Sequence, residues 1–155
     1  MLAGEIRDGR ILIKPSFANT IVWRSVYIAG NRIYVDAIRP GLFGETRIYE
    51  GESVPLFDGG GLITDTGISR DSTLARDIER FRFFSHGYVA VHPSRPGILG
   101  DIRFSMLPNS ALPMWGIELN PTRADEHAQF RAFRELSRQD RERFVDMLAG
   151  RVVVE

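Results

Sequence analysis

The stretch "TIVWRSVYIAGNRIYVDAIRP", residues 20–40, contains the clearest hairpin pattern in the sequence. Two runs rich in β-branched and aromatic residues, 21–28 and 32–38, flank the short segment "AGN", which is typical of a tight turn between antiparallel strands. Because side chains alternate between the two faces of a strand, the first run divides into two sets. These are Val22, Arg24, Val26 and Ile28 on one face, and Ile21, Trp23, Ser25 and Tyr27 on the other. Both sets are partly apolar, so we expect the hairpin to be covered, at least in part, on both sides.

Further strands are predicted along the chain from the same β-rich pattern. They are "RILIKP" (10–15), one strand and a short second one in "ETRIYEGESVPLFD" (45–58), "YVAVHP" (88–93), "ILGDIRFSML" (98–107) and "MWGIEL" (114–119). The segment "SRPG" (94–97) reads as the turn between two of them. The glycine-rich segment 58–72 lacks the pattern of a phosphate-binding loop and is predicted to be a mobile connection.

Helical spacing appears in the middle of the chain and in its tail. In "DSTLARDIERFRFF" (71–84) apolar residues recur at helical intervals, with Asp71 or Ser72 as N-cap and Gly87 near the end. The tail predicts two helical stretches, 123–136 and 138–149, and Ser137 caps the second. A further one or two helical turns are predicted at 2–9.

Together these elements predict one α+β domain, residues 1–155, with a mostly antiparallel β-sheet, one mid-chain helix and a C-terminal helical segment. We expect five large aromatic residues to lie in its core: Trp23, Phe81, Phe84, Trp115 and Phe144.

The composition excludes several classes of protein. The chain has 20 basic and 20 acidic residues and a formal net charge of zero, whereas a general nucleic-acid binder carries a basic excess. No cysteine is present, which excludes thiolate nucleophiles and cysteine-containing zinc sites. No apolar run approaches the ~18 residues of a membrane helix, so we expect a soluble chain.

The segment "RFRFFSHGYVAVHP" (80–93) places Ser85 next to His86 and adds His92 six residues later. A zinc site needs three or four converging ligands, and the third histidine, His127, falls on a different predicted element. We therefore expect no metal or other cofactor. A Ser85–His86 hydrolytic pair is disfavoured, because adjacent residues rarely reach mutual hydrogen-bond geometry and no G-x-S-x-G turn is present. Catalytic residues therefore remain unassigned, and Ser85 fits a helix end.

A second polar group consists of Arg24, Asp36, Asp101 and Arg103, each inside a predicted strand. Asp101 and Arg103 are two residues apart and would share one face of the pleat. The group is either a structural Asp–Arg bridge or an anion site in which Arg24 and Arg103 act as guanidinium forks. With the helix-end pair added, the candidate ligand-binding residues are Arg24, Asp36, Ser85, His86, Asp101 and Arg103.

Several blocks of the sequence resemble one family. They are "KPSFANTIVWRSVY", "RIYVDAIR", "RIYEGESV", "LARDIERFRFFSHGYVAVHP", "GDIRFSMLP" and "LPMWGIEL". From Ile11 to Gly150 the chain resembles the soluble C-terminal region of the membrane-bound, predicted metal-dependent hydrolases, the LexA-regulated, YdjM-like inner-membrane proteins. In that family the block around Ser85 reads Phe-Ser-x-Gly, with the position of His86 open.

The resemblance implies a chain detached from an N-terminal membrane region, whose histidines are the basis of the hydrolase prediction. It implies a parent protein in a bacterial inner membrane and an attachment to the membrane through that missing region. The expected function is then an accessory soluble domain with a binding, regulatory or scaffolding role.

Two alternatives stay open at the level of sequence. The chain could be a small self-contained hydrolase in which Asp101, Asp36 and His86 perform acid–base chemistry. It could also be a protein-interaction module whose C-terminal helical pair binds a protein partner. No nucleic-acid partner is expected, and the residues name no substrate.

Overall fold

The computed structural model describes residues 10–41, 44–59 and 67–153. The strands are β1 (Ile11–Pro15), β2 (Trp23–Ala29), β3 (Arg32–Arg39), β4 (Arg47–Pro55), β5 (Val89–His92), β6 (Arg95–Asp101), β7 (Trp115–Glu118) and β8 (Gln129–Ala132). The helices are α1 (Thr73–Phe84), between β4 and β5, and α2 (Arg138–Ala149), after β8; a 3-10 turn covers Pro121–Arg123.

The strands form two antiparallel four-stranded sheets, each in simple sequence order. The first sheet contains β1 to β4 and the second contains β5 to β8. The predicted α+β class with mostly antiparallel sheet is thereby confirmed.

The hairpin at 20–40 is confirmed as the centre of the first sheet. Val26 pairs with Val35, and Gly30 takes a positive φ of 58° in the two-residue turn. A glycine with positive φ at the first central position matches the twist that joins antiparallel strands. Along β2 the alternation also holds, because Val22, Arg24, Val26 and Ile28 are all buried.

Three apolar clusters build the layers of the molecule. Between the two sheets lie Val26, Ile28, Ile33, Val35, Val54, Tyr88, Ala90, Ile102 and Ala111. On the other side of the second sheet, α1 packs through Leu74, Ala75, Ile78 and Phe81 against Val89, Leu99, Ile117 and Leu119. The helix α2 packs through Met147 against Val22, Ala37, Tyr49 and Leu107. The inner face of the first sheet is therefore covered by the second sheet and α2, while none of the three clusters includes a residue of its outer face. Among the described residues these clusters thus cover the hairpin on one side, not on both sides as expected.

Both helices begin and end at the residues that the sequence predicts. Ser72 is the N-cap of α1, and its hydroxyl accepts from the Ala75 amide. Ser137 and Asp140 form a reciprocal capping box at α2, and Gly150 closes that helix with a φ of 71°.

The predicted helix at 123–136 is wrong. The 3-10 turn ends at Arg123, the first residue of this segment, and β8 follows, pairing with β7 so that Ile117 lies opposite Phe130. Pairing with an available sheet edge overrides the local helical spacing. The helical pair of the interaction hypothesis therefore does not form, and α2 stands alone in the tail.

Smaller corrections concern the second sheet and the core. Strand β6 starts already at Arg95 and ends at Asp101, so the turn consists of Pro93 and Ser94 rather than "SRPG". The region 45–58 holds one strand. Phe84 is 61% exposed and does not belong to the core, whereas Phe81 is buried as predicted.

The remaining aromatic predictions are only partly met. Trp115 and Phe144 are half-buried against the α1 and α2 clusters respectively. Trp23 is half-buried on the outer face of the first sheet. The helical turns predicted at 2–9, and most of the connection predicted at 58–72, lie outside the described residues.

Within residues 10–41, 44–59 and 67–153, neither helix has the length and apolar character needed to cross a bilayer.

Candidate functional site

Arg24 lies at the middle of the inner face of the first sheet and is only 2% exposed. Its guanidinium donates to the backbone carbonyls of Ile102 at 2.8 Å, Pro108 at 2.6 Å and Ser110 at 2.9 Å. Burial lowers the pKa of Arg24 to about 9, which the charges of Glu52 and Asp101 partly oppose, so the side chain stays charged at neutral pH. Arg24 therefore fixes the irregular segment that follows β6.

Asp101 and Arg103 form the predicted ion pair, and it is buried. Two parallel bonds join them, Nε to Oδ1 at 2.9 Å and Nη2 to Oδ2 at 2.7 Å. The side chains are 0% and 12% exposed. However, Arg103 is not inside a strand, contrary to the prediction from the sequence. It lies two residues beyond the end of β6, and its own amide also donates to Asp101.

The same pair reaches the end of α1, where the other two predicted residues lie. Arg103 donates to the carbonyl of Phe84 at 2.9 Å. Ser85 is the C-cap of α1, and among the described residues its buried hydroxyl has no hydrogen-bond partner. His86 has a positive φ of 52° and an exposed side chain, and its carbonyl accepts from Arg10 at 2.8 Å. The geometry thus brings Ser85 close to Arg103 without pairing the hydroxyl and the imidazole.

Asp36 does not join this group. It lies opposite Ser25 in the β2–β3 ladder, and residues directly opposite each other share one face of a sheet. Asp36 is therefore on the outer face, whereas Arg24 is on the inner face. Burial raises the pKa of Asp36, while a 3.0 Å hydrogen bond from the Gly51 amide opposes that shift. The proposed trio of Asp101, Asp36 and His86 is consequently split between a buried ion pair, an outer sheet face and an exposed helix end.

Lys14 belongs to the inner group, although sequence reasoning did not select it. It lies opposite Arg24 in the β1–β2 ladder, and its ammonium is 3.0 Å from the centroid of the Phe104 ring. Burial, followed by the charges of Arg24 and Arg103, lowers the pKa of Lys14 to about 8. The register of the two strands is the signal that pairs Lys14 with Arg24.

His92 was also missed, and it occupies a different place. It is 6% exposed and lines a cleft of about 260 Å³. Burial and the nearby Arg95 lower the pKa of His92, so the imidazole is neutral at neutral pH. Its ring meets that of Phe133 edge-on at 5.0 Å. Phe133 follows β8, the element that sequence reasoning assigned to a helix, which is why the cleft could not be anticipated.

The third distinct surface is the outer face of the first sheet. Tyr27 and Tyr34 stack there with ring centroids 5.2 Å apart and planes 9° from parallel. The face also carries Ile13, which is 50% exposed, and Ile48, which is 65% exposed. Asp36 lies near its centre.

The described ranges contain no group of three or more histidine, aspartate or glutamate residues that could hold a metal ion. The three histidines lie apart. His86 is at the end of α1, His92 ends β5, and the Nδ1 atom of His127 lies 2.9 Å from Asp77 on α1.

Comparisons of the chain with protein-family models, with curated proteins and with solved structures found no match.

Proposed function

We propose that the chain is the accessory domain of a membrane-anchored protein, with a binding and scaffolding role rather than a catalytic one. Its docking surface is the outer face of the first sheet, and the occupant is the membrane-embedded region of the same protein. The observation that carries this proposal is the open, aromatic and aliphatic character of that face.

The composition of this face is typical of a protein interface rather than of a solvent-exposed sheet face. An antiparallel sheet with one solvated face carries polar residues on that face. Here Trp23, Tyr27 and Tyr34 lie among isoleucines, and four of these are at least half exposed: Ile11, Ile13, Ile21 and Ile48. Aromatic residues are enriched at protein interfaces. The carboxylate of Asp36, near the centre of the face, already accepts a hydrogen bond from the Gly51 amide. An apolar patch that stays exposed on a monomer marks a binding surface.

The position of β1 favours the membrane-embedded region of the same protein as the binding partner. It is an edge strand and the first described strand of the chain, and Ile11 and Ile13 project from it onto the outer face. A region joined ahead of β1 would meet the sheet at this edge. The resemblance to the C-terminal region of inner-membrane proteins implies such a region, and it implies a parent protein in a bacterial inner membrane.

Photo-crosslinking of the full-length protein in its native membrane tests this proposal. A benzoylphenylalanine replaces Ile13 on the outer face, or Phe83, which is 87% exposed on α1, as the matched control. We expect crosslinks from position 13 to peptides of the membrane-embedded region, identified by peptide sequencing, and none from position 83. Equal crosslinking from both positions, or crosslinks from position 13 only to a second copy of the domain, would overturn the proposal.

A further inference from the structure

The cleft that contains His92 lies between the segment 105–113 and the residues that follow β8. Backbone hydrogen bonds hold its walls together: the Phe133 amide donates to the Met114 carbonyl at 2.7 Å, and the Met114 amide donates to the Phe104 carbonyl at 2.9 Å. Its volume of about 260 Å³ equals that of about eight or nine waters at ~30 Å³ each. The cleft is therefore a preformed site with the capacity for a small organic molecule.

The hydrogen bond at Nδ1 of the His92 ring determines whether Nε2 is a donor or an acceptor. The Ser94 amide donates to Nδ1 at 3.2 Å, so Nδ1 is the acceptor of the neutral ring. The proton is then on Nε2. Among the described residues no acceptor takes a hydrogen bond from Nε2. His92, which is 6% exposed as a residue, thus provides an N–H donor that is free to bind a ligand.

Other groups that line the cleft are also mainly donors. Arg95 lies over the Phe133 ring at 4.8 Å, and in the described part of the chain neither Arg95 nor Arg134 forms an ion pair. The Ser105 hydroxyl accepts from the Leu107 amide at 3.4 Å, which leaves its proton available.

Two acids also line the cleft, equal in number to its two arginines. Asp140 is occupied, because it accepts from both the amide and the hydroxyl of Ser137, and Glu135 is the other acid. Among the described residues, His92 Nε2 and the guanidinium groups of Arg95 and Arg134 are donors without a hydrogen-bond partner, and they favour a ligand group rich in acceptors, such as a carboxylate.

The remaining lining is apolar and consists of Met106, Leu107, Leu112, Pro113, Phe133 and Leu136. Ligand sites commonly combine such walls with a few placed polar groups. We propose that this cleft binds a small monocarboxylate with a short apolar body, whose carboxylate accepts from His92 Nε2 and Arg95. The cleft shares no residue with the outer face of the first sheet, so this inference stands independently of the proposed docking function.

Imidazole NMR on the purified chain, with hexanoate as the probe and hexanamide as its uncharged match, tests the inference. The chain has three histidines, and the ring-nitrogen signals assigned to His92 report on the cleft. We expect hexanoate to shift the His92 signals saturably, with a dissociation constant of roughly millimolar order for so few atoms. Hexanamide should bind more weakly, because it lacks the charge that Arg95 recognises.

Three variants distinguish a built site from nonspecific binding. Arg95→Met removes an exposed guanidinium at the cleft and should weaken hexanoate binding about tenfold. Arg80→Met removes an exposed arginine of α1 and should leave binding unchanged; Arg134→Met serves as a second cleft variant if Arg95→Met perturbs the spectrum broadly. Equal shifts with hexanamide, full-strength binding by both cleft variants, or no saturable shift of the His92 signals would overturn the inference.

Discussion

Arg24 satisfies three backbone carbonyls that lie 78 to 86 residues further along the chain. Carbonyls buried in an irregular segment have no strand or helix partner, so a side chain must supply the donors. A guanidinium provides several donors in a fixed planar array. One residue of β2 thereby determines the course of the segment that forms one wall of the His92 cleft.

Replacing Arg24 with methionine should therefore lower the free energy of unfolding by at least about 2 kcal/mol, because each buried carbonyl left without a donor costs about 1–3 kcal/mol. Urea unfolding measures the loss, and amide exchange should become faster across residues 102–110. Arg80→Met, at a side chain that is 72% exposed in its pair with Asp77, should change stability by less than about 0.5 kcal/mol. A similar small change for Arg24→Met would contradict the structural role assigned here.

Lys14 gives the molecule a defined pH dependence. Its pKa is about 8 in the folded protein and near 10.5 when unfolded, so between these values the unfolded state binds more protons. Stability then rises with pH across that window. We expect the unfolding free energy of the parent, relative to Lys14→Met, to increase from about pH 8 to pH 10.5. The raised pKa values of Tyr27 and Tyr88 affect both proteins alike. If the difference in unfolding free energy between the two proteins stayed constant or fell over this pH range, it would contradict the lowered pKa of Lys14.

Only those contacts of the candidate site that join residues close together in the sequence could be predicted. The pairing of Asp101 with Arg103 follows from their spacing of two, although a turn rather than a pleat brings them together. The contacts of Arg24 with distant carbonyls and the burial of His92 depend on how the two sheets pack. No local pattern carries that information.

At the scale of elements, the helix caps and the alternation of inward-facing and outward-facing strand residues could be predicted from sequence. Both depend on residues that are only a few positions apart. The hydroxyls of Ser72 and Ser137 accept from amides of their own helices, and Gly150 ends its own helix with a left-handed conformation. The 20–40 hairpin likewise pairs two strands that are adjacent in the sequence. Strand β8 forms only because β7 offers it an edge to pair with. For the same reason the extension of β6 back to Arg95, opposite His92, was missed.

The end of α1 stores backbone strain at His86. Its φ of 52° costs a residue with a side chain about 1–2 kcal/mol, and glycine avoids that cost. After allowance for the greater freedom of glycine in the unfolded chain, His86→Gly should stabilise the protein by about 0.5–1 kcal/mol in urea or thermal unfolding.

Two comparison variants test that explanation. His86→Ala keeps the strain and should stay within about 0.5 kcal/mol of the parent. Gly87→Ala introduces a side chain at a φ of 77° and should destabilise the protein by more than about 1 kcal/mol. Destabilisation by His86→Gly would show that the ring makes a contact that matters.

At the scale of the whole molecule, the packing of the layers determines which surfaces remain exposed for binding. The second sheet is covered by α1 on one side and by the first sheet on the other, so both of its faces are used. In the described part of the chain, the apolar clusters cover the first sheet on one side only. Its outer face and the His92 cleft are therefore separate surfaces, and each can bind without the other.

The packing also predicts that the two sheets unfold together. Each sheet carries one tryptophan, Trp23 on β2 and Trp115 on β7. The cluster between the sheets draws fully buried residues from both sides, among them Val26, Val35 and Ile102. A shared core of this kind makes the sheets one cooperative unit, since neither buries its inner face alone. In the variants Trp23→Phe and Trp115→Phe, the fluorescence of the remaining tryptophan reports on one sheet.

We expect each variant's fluorescence transition in urea to coincide with its own far-ultraviolet dichroism transition. As a further test, Val35→Ala should shift both reporters to lower urea by the same amount, because the cavity lies between the sheets and costs about 1–3 kcal/mol. Ile13→Ala, on the open face of the same sheet, should move neither by more than about 0.5 kcal/mol. If Val35→Ala shifted only the Trp23 reporter, the sheets would be separate folding units. The continuous core between them would then not govern the stability of the second sheet.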